Sequence, residues 1–143
     1  MEYDKKLNMY EIEIIWRLVL AFLLSALIGF EREVSKKPAG FRTHAIVSVS
    51  SCLATIISIY YFKSDPARIA SGIITGIGFI GAGNIIASKG DVKGITTAAS
   101  LWSVAIVGLA CGVGAYILAY VTAVMVFILL VVAKVEKTLH IKE

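Results

Sequence analysis

Residues 72–84 read Gly72-Ile-Ile-Thr-Gly-Ile-Gly-Phe-Ile-Gly-Ala-Gly-Asn84, and this stretch decides how the chain folds. It holds five of the 12 glycines, in sequence too apolar for an ordinary surface loop. In water each glycine costs a helix interior about 1 kcal/mol relative to alanine. In a bilayer the backbone finds no other partners, so the segment stays helical or is sheltered by protein, and its glycines let helices pack at backbone contact. The stretch therefore predicts a helix-packing seam, a broken-helix binding site, or both.

The composition of the whole chain favours the membrane. Hydrophobic residues make up 58% of the 143 residues, charged residues only 17%, and the mean hydropathy is +0.84. Spans of about 20 residues each fill this length with five crossings. No cleavable signal sequence is expected, because no small-residue cleavage site follows the first apolar run. We predict an all-α integral membrane protein, a single transmembrane domain over residues 1–143 with spans at 12–30, 43–62, 67–87, 95–111 and 116–133. Gly112 and Gly114 are predicted to mark the turn between the last two spans.

The distribution of positive charge predicts the orientation. Nine of the 14 Lys and Arg residues fall in the connector after span one, the loop after span three and the tail. The positive-inside rule then places the N-terminus outside and the C-terminus in the cytoplasm. The net charge of +4 is modest and sits at span ends, which indicates lipid headgroups as partners and no nucleic acid. Trp16 and Arg17 are predicted to form an interfacial anchor at the start of span one.

Small and polar positions predict how the spans pack. A face of hydroxyl residues in span two either packs against another helix or lines a pore, and packing is favoured; its members are Ser48, Ser51, Thr55 and Ser58. Span three is predicted to supply a helix seam from Gly72, Gly76, Gly78, Gly81 and Gly83, whose crowding after Gly76 also predicts a kink or interruption. Cys52 and Cys111 are interpreted as small core residues, and Trp102 as a packing residue whose indole N–H needs a partner.

A functional cluster is predicted at the cytoplasmic face, where polar span ends converge: Glu31, Arg32, Arg42, Thr43, Asn84, Thr96 and Thr97. Glu31 or Glu33 is expected to pair with Arg42, and the free amides starting span four suit an anion or a carboxylate. Interfacial salt bridges and helix caps are the alternative interpretation, and it is favoured for Glu33, Thr43 and His44. At the outer end Asp65 is predicted to cap the third helix and to pair with Arg68.

Two functional hypotheses remain open. No carboxylate lies in the middle of a span, which weakens a proton-coupled carrier without excluding it. No catalytic triad, metal-binding His/Cys cluster or phosphate loop is present, so we predict no enzyme activity, cofactor or bound metal. The favoured hypothesis is a non-enzymatic module that associates with itself, as a dimer, or with another membrane protein. The alternative is a small cation or solute transporter with a broken third helix, using backbone carbonyls and the side chains of Thr75, Asn84, Thr96 and Thr97.

Five short motifs mark the ends of the spans: Gly29-Phe-Glu-Arg-Glu, Ala39-Gly-Phe-Arg-Thr-His, Asp65-Pro-Ala-Arg, Gly76-Ile-Gly-Phe-Ile-Gly-Ala-Gly and Gly94-Ile-Thr-Thr-Ala-Ala-Ser-Leu-Trp. In this order they resemble the MgtC/SapB family of bacterial inner-membrane proteins over about residues 17–133. The resemblance implies a five-span N-terminal domain, here without the cytoplasmic C-terminal domain that many members carry. It also implies a plasma-membrane location and a link to magnesium homeostasis and virulence.

For this family, inhibition of the ATP synthase through membrane contact has been proposed, and direct Mg²⁺ transport has been suggested. The resemblance carries these roles to the positions that occupy or adjoin the motifs: Glu31, Arg32, Arg42, Thr43, Asp65, Arg68, Asn84, Thr96 and Thr97.

Overall fold

The computed structural model describes residues 2–88 and 91–140, and the described chain is helical apart from one short hairpin. The elements are α1 (Glu2–Val34), α2 (Phe41–Tyr61), α3 (Pro66–Gly83), β1 (Ile86–Ser88), β2 (Asp91–Lys93), α4 (Ile95–Val113) and α5 (Tyr116–His140). The predicted helical class is confirmed. The antiparallel hairpin, in which Ala87 pairs with Val92, was not predicted.

The helices carry the apolar length that a membrane requires. Three are long and apolar enough to cross a bilayer: Tyr10–Val34, Phe41–Tyr61 and Ile95–Val113. The segment Tyr116–Val132 of α5 is a shorter apolar helix. These segments support a membrane protein, while five crossings and their orientation stay predictions.

Helix α4 is the centre of the packing, because it contacts each of the other four helices. The larger core cluster includes Ile28, Cys52, Val104, Val107 and Cys111, all fully buried. A smaller cluster lies beneath α3 and is formed by Ala39, Ile77, Leu101 and Ala105. Both cysteines are free and buried, which confirms their interpretation as core residues.

Several helix ends differ from the predicted spans. Helix α1 continues through Glu31 to Val34, where the sequence predicted a loop, and α5 runs to His140 beyond the predicted end at residue 133. The end of α1 remains helical because Glu31 is bonded to Arg32 and Ser35 while the backbone keeps its own hydrogen bonds. Helix α3 ends at Gly83 and not at residue 87, because the chain turns there into the hairpin.

The predicted interruption of α3 is wrong. The helix is continuous from Pro66 through the crowded glycines to Gly83. Asn84 is its C-cap, and the Asn84 side-chain amide donates to the carbonyl of Ile80 at 2.9 Å. A continuous helix satisfies its own backbone groups, which is the favoured state of a segment surrounded by apolar groups. The backbone carbonyls that a broken-helix site requires are therefore used inside the helix.

The closest helix packing lies between α2 and α4. A Cβ added at Gly108 would lie 2.1 Å from the carbonyl oxygen of Ser48, and one at Gly112 would lie 2.6 Å from Cβ of Thr55. Only glycine permits this approach, and the four-residue spacing places both glycines on one face of α4. We call Gly108 and Gly112 the α4 seam; the sequence analysis had interpreted Gly112 only as part of a turn.

Candidate functional site

The hydroxyl face of α2 holds the bundle together. Ser48 donates to the carbonyl of Ala21 on α1 at 3.1 Å, and Ser51 donates to the carbonyl of Ala105 on α4 at 2.7 Å. Ser58 donates to the carbonyl of Pro66, at the start of α3, at 2.8 Å. All three are buried, as is Thr55, so the prediction that this face packs is confirmed.

An ion pair is buried at the end of α1. Arg32 and Glu31 are 3% and 7% exposed, and the guanidinium contacts the carboxylate directly. The hydroxyl of Ser35 donates to the other carboxylate oxygen of Glu31 at 2.7 Å. The predicted pairing of Glu31 with Arg42 is therefore wrong: the extra helical turn of α1 directs Glu31 towards Arg32, and Arg42 is exposed on α2.

Glu33 on α1 provides a hydrogen-bond acceptor for the first residue of α2. One carboxylate oxygen of Glu33 accepts a hydrogen bond from the backbone N–H of Phe41 at 2.9 Å. Phe41 is the first residue of α2, whose N-cap, Gly40, has no side chain to satisfy the free amides. The capping alternative given for Glu33 in the sequence analysis is thus confirmed.

His44 is fully buried between α1 and α4, and its two ring nitrogens connect Gly40 and Ser100 through hydrogen bonds. Its Nδ1 lies 2.9 Å from the carbonyl oxygen of Gly40, and its Nε2 lies 2.9 Å from the hydroxyl of Ser100. A carbonyl only accepts, so Nδ1 carries a proton. Ser100 in turn lies 2.9 Å from the carbonyl oxygen of Thr97. Whenever Nε2 is unprotonated, the single hydroxyl proton of Ser100 therefore has two competing acceptors, Nε2 of His44 and the carbonyl oxygen of Thr97.

The predicted cytoplasmic cluster is brought together only in part. Glu31 and Arg32 contact each other directly, and Thr97 is buried at the end of the His44–Ser100 chain. Thr96 is exposed, Thr43 is half-buried, and the Asn84 side chain is bonded within α3. Sequence reasoning assigned His44 only a capping role; its position in the Ala39–His44 motif was the available signal.

A second polar group lies near the middle of α1, beside the C-terminal end of α4. Arg17 is 8% exposed, and its guanidinium donates to the carbonyl of Gly112 at 2.7 Å and to Glu13 at 2.5 Å. Gly112 is in the last turn of α4, so Arg17 satisfies a free carbonyl at a negative helix end. The prediction of an interfacial anchor is corrected for Arg17, whose guanidinium is bonded within the protein, whereas the side chain of Trp16 is 52% exposed. The Glu13–Arg17 spacing of four residues was the signal that sequence reasoning missed.

The α4–α5 turn depends on Gly114. Its φ is +85°, a left-handed value that favours glycine, and a Cβ there would lie 3.4 Å from the Arg17 guanidinium. The hydroxyl of Tyr116, two residues on, lies 3.4 Å from the Glu13 carboxylate. The predicted turn at this glycine is confirmed.

The start of α3 is confirmed in position but not in its side-chain contacts. Pro66 is the first helical residue and Asp65 the N-cap, yet the Asp65 side chain makes no capping hydrogen bond. Asp65 and Arg68 are both exposed, and within the described part of the chain they form no ion pair. Water satisfies both groups at this surface, so the predicted pair is wrong.

Most of the predicted glycine seam of α3 has no neighbour outside its own helix among the residues that the structure describes. Only Gly81 packs internally, with a virtual Cβ 3.6 Å from Ala98 of α4. For Gly72, Gly76, Gly78 and Gly83 nothing lies within 4 Å of an added Cβ. Phe79, between them, is 87% exposed.

Two further observations complete the surface. Trp102 is 46% exposed, so about half of its side chain is packed within the described chain. Among the residues that the structure describes, no group of three or more His, Cys, Asp or Glu side chains is arranged to hold a metal ion.

A helical bundle with apolar outer faces, a buried ion pair and glycine-mediated helix contacts defines a polytopic membrane protein. The MgtC family model matches residues 18–138, and the chain belongs to the MgtC family.

Curated relatives agree with this membership. The chain is 41% identical to the putative magnesium transporter YhiD of Escherichia coli strain K12 over 127 residues, which cover 82% of this chain and 59% of that protein. It is 43% identical to SapB of Bacillus subtilis over 126 residues, or 81% and 54% of the two chains. It is 40% identical to MgtC of Brucella abortus strain 2308 over 124 residues, or 86% and 51%. The chain thus spans a little over half the length of these relatives, and no solved structure gives a significant match.

Proposed function

We propose that this chain is a non-enzymatic module of the bacterial inner membrane that acts by helix–helix association with a second copy or another membrane protein. The open face of α3 carries the proposal. Gly72, Gly76 and Gly83 follow one another at intervals of four and seven residues, so they share one face of the helix. None has a neighbour within 4 Å of an added Cβ in the described part of its own chain.

We call Gly72, Gly76 and Gly83 the α3 glycine face. In lipid, apolar burial gives no net drive for helices to meet, and association depends on close packing and hydrogen bonds. A face without side chains provides that close packing, as the α4 seam does inside the chain. Helix α3 buries only Ile77 and Gly81 against the bundle, so the α3 glycine face is left open for a partner.

In this proposal the chain crosses the membrane five times with its N-terminus outside. The partner is a second copy forming a dimer, or a membrane complex such as the ATP synthase. The link to magnesium homeostasis is supported by the name of the Escherichia coli relative, and a role in virulence stays an expectation of the resemblance.

The proposal is tested by placing a bulky side chain on the α3 glycine face. Gly76→Leu has open space around it and adds helix propensity of about 1 kcal/mol, so the fold is retained. The matched control is Gly78→Leu, which is equally open but lies about 200° away around the helix. Cross-linking in native membranes and light scattering in mild detergent measure the assembly. Loss of assembly with Gly76→Leu alone supports the proposal; equal assembly of both variants and the unchanged chain refutes it.

Cation transport is the second candidate function, and the name of the Escherichia coli relative favours it. The continuous α3 removes the backbone ligands on which the broken-helix form of this hypothesis depended. Mg²⁺ flux into liposomes containing the purified chain tests it directly. Flux that falls in Thr97→Val and is unaffected by Gly76→Leu would favour transport over association.

A further inference from the structure

The connector between α1 and α2 concentrates unpaired positive charge at one end of the bundle. Lys36 and Arg42 are exposed and Lys37 is half-buried. Among the residues whose side chains the structure describes, none of the three is in an ion pair. We call Lys36, Lys37 and Arg42 the basic rim.

The acidic residues nearest to the connector, Glu31 and Glu33 in the last turn of α1, already have hydrogen-bond partners. Glu31 is buried against Arg32 and Ser35, and one oxygen of the exposed Glu33 accepts from the backbone of Phe41. Both carboxylates are therefore bonded within the protein. Of the two, only Glu33 is exposed, so one exposed negative charge lies beside three bases. The surface that remains is positive.

The backbone at Lys36 is unusual. It has a φ of +53°, and it is the one described residue other than glycine with a positive φ. The N–H of Lys37 bonds to the carbonyl of Arg32 at 3.0 Å and that of Lys36 to the carbonyl of Glu33 at 2.9 Å, which is the Schellman ending of a helix. Glycine is the residue that suits this position best. A lysine there brings a charge to the surface in a conformation that lysine disfavours, which points to use of that charge.

Apolar stripes run from the basic rim along both helices. On α1 the exposed residues Leu23, Leu27, Phe30 and Val34 repeat at helical spacing and end at the connector. On α2 the stripe of Ile46, Leu53 and Ile57 begins one turn after Arg42 on the same face. Bases at the head of two lipid-facing stripes match the shape and charge of a phospholipid with an anionic headgroup.

We propose that the basic rim is a binding site for anionic phospholipid, with the headgroup phosphate on Lys36, Lys37 and Arg42 and the acyl chains along α1 and α2. The site is separate from the α3 glycine face, so it extends the proposed function and does not depend on it. A basic residue beside an anionic membrane surface strengthens binding about fivefold, so removing two of them weakens it about 25-fold.

The test is native mass spectrometry of the purified full chain titrated with equal amounts of phosphatidylglycerol and phosphatidylcholine. The expected result is a retained phosphatidylglycerol-to-phosphatidylcholine ratio well above one, which falls about 25-fold in Lys36→Gln/Arg42→Gln. The matched control is Lys63→Gln/Arg68→Gln, which removes two exposed bases at the opposite end of α2 and the start of α3. Its ratio stays within twofold of the unchanged chain.

Lys36→Gly separates lipid binding from folding. It removes one charge and relieves the left-handed backbone, so the ratio falls about fivefold while the melting temperature is equal or higher. A ratio near one for the unchanged chain overturns the proposal, as would occur if the rim binds an acidic protein segment instead. Equal losses in the rim and control pairs, or a loss below twofold in the rim pair, also overturn it.

Discussion

Gly108→Ala tests whether the contact between α2 and α4 determines the stability of the bundle. The new Cβ would lie 2.1 Å from the carbonyl oxygen of Ser48 and 2.8 Å from the carbonyl carbon. Backbone atoms do not move aside as a side chain does, so the two helices must separate. Separation also stretches the hydrogen bond by which Ser51 joins α2 to Ala105 of α4.

The magnitude follows from three effects. Overpacking of a tight contact costs about 1–3 kcal/mol, towards the upper end for a backbone clash. The one stretched hydrogen bond contributes about 0.6 kcal/mol in a membrane protein. Alanine recovers about 1 kcal/mol through its higher helix propensity. The net expectation is a loss of about 2 kcal/mol in the free energy of unfolding.

The assay is unfolding in mixed micelles by increasing fractions of dodecyl sulfate, monitored by circular dichroism. The matched control is Gly78→Ala on α3, where nothing lies within 4 Å and the helix gains up to about 1 kcal/mol. A Gly108→Ala protein as stable as the unchanged chain would refute the close α2–α4 contact.

Two other predictions concern buried polar groups. Arg17→Met removes the donor to the last turn of α4 and should lower the free energy of unfolding by about 2 kcal/mol in the same assay, because a buried carbonyl loses its partner. Its control is Trp16→Leu, at an exposed neighbouring position, which should change the free energy of unfolding little. Equal effects of the two substitutions would contradict the internal role of Arg17. His44 should keep a proton on Nδ1 at every pH at which the chain is folded, because that atom faces a carbonyl oxygen; a ¹⁵N spectrum showing a bare Nδ1 would contradict this bond.

Helix positions and the hydroxyl face of α2 were predictable from the sequence because both depend on local spacing. Ser48, Ser51 and Ser58 repeat along one side of a helix, and that side packs whatever the neighbour is. The apolar runs likewise predicted five helices, although their ends shifted where charged residues remained helical at Glu31.

Pairing between distant residues was not predictable. Gly72 and Gly108 both begin a small-residue repeat, and only the fold places Gly108 against Ser48 while Gly72 stays open. Arg17 meets Gly112, 95 residues away in the chain, so the sequence showed only the local half of its contacts, Glu13. Glu31 illustrates the same difficulty over a short distance, since its partner depended on whether α1 continued for one more turn.

The one-sided packing of α3 has a consequence for the order in which the protein comes apart. Helix α3 packs mainly against α2 and α4 and buries two residues, whereas α4 buries nine. Local opening follows the number of buried contacts, so α3 should exchange its amide protons and separate from the bundle before α4 does. A partner that binds the outer side of α3 competes with lipid alone and disturbs no internal contact. A helix that is held weakly by its own chain is thus readily stabilised by another.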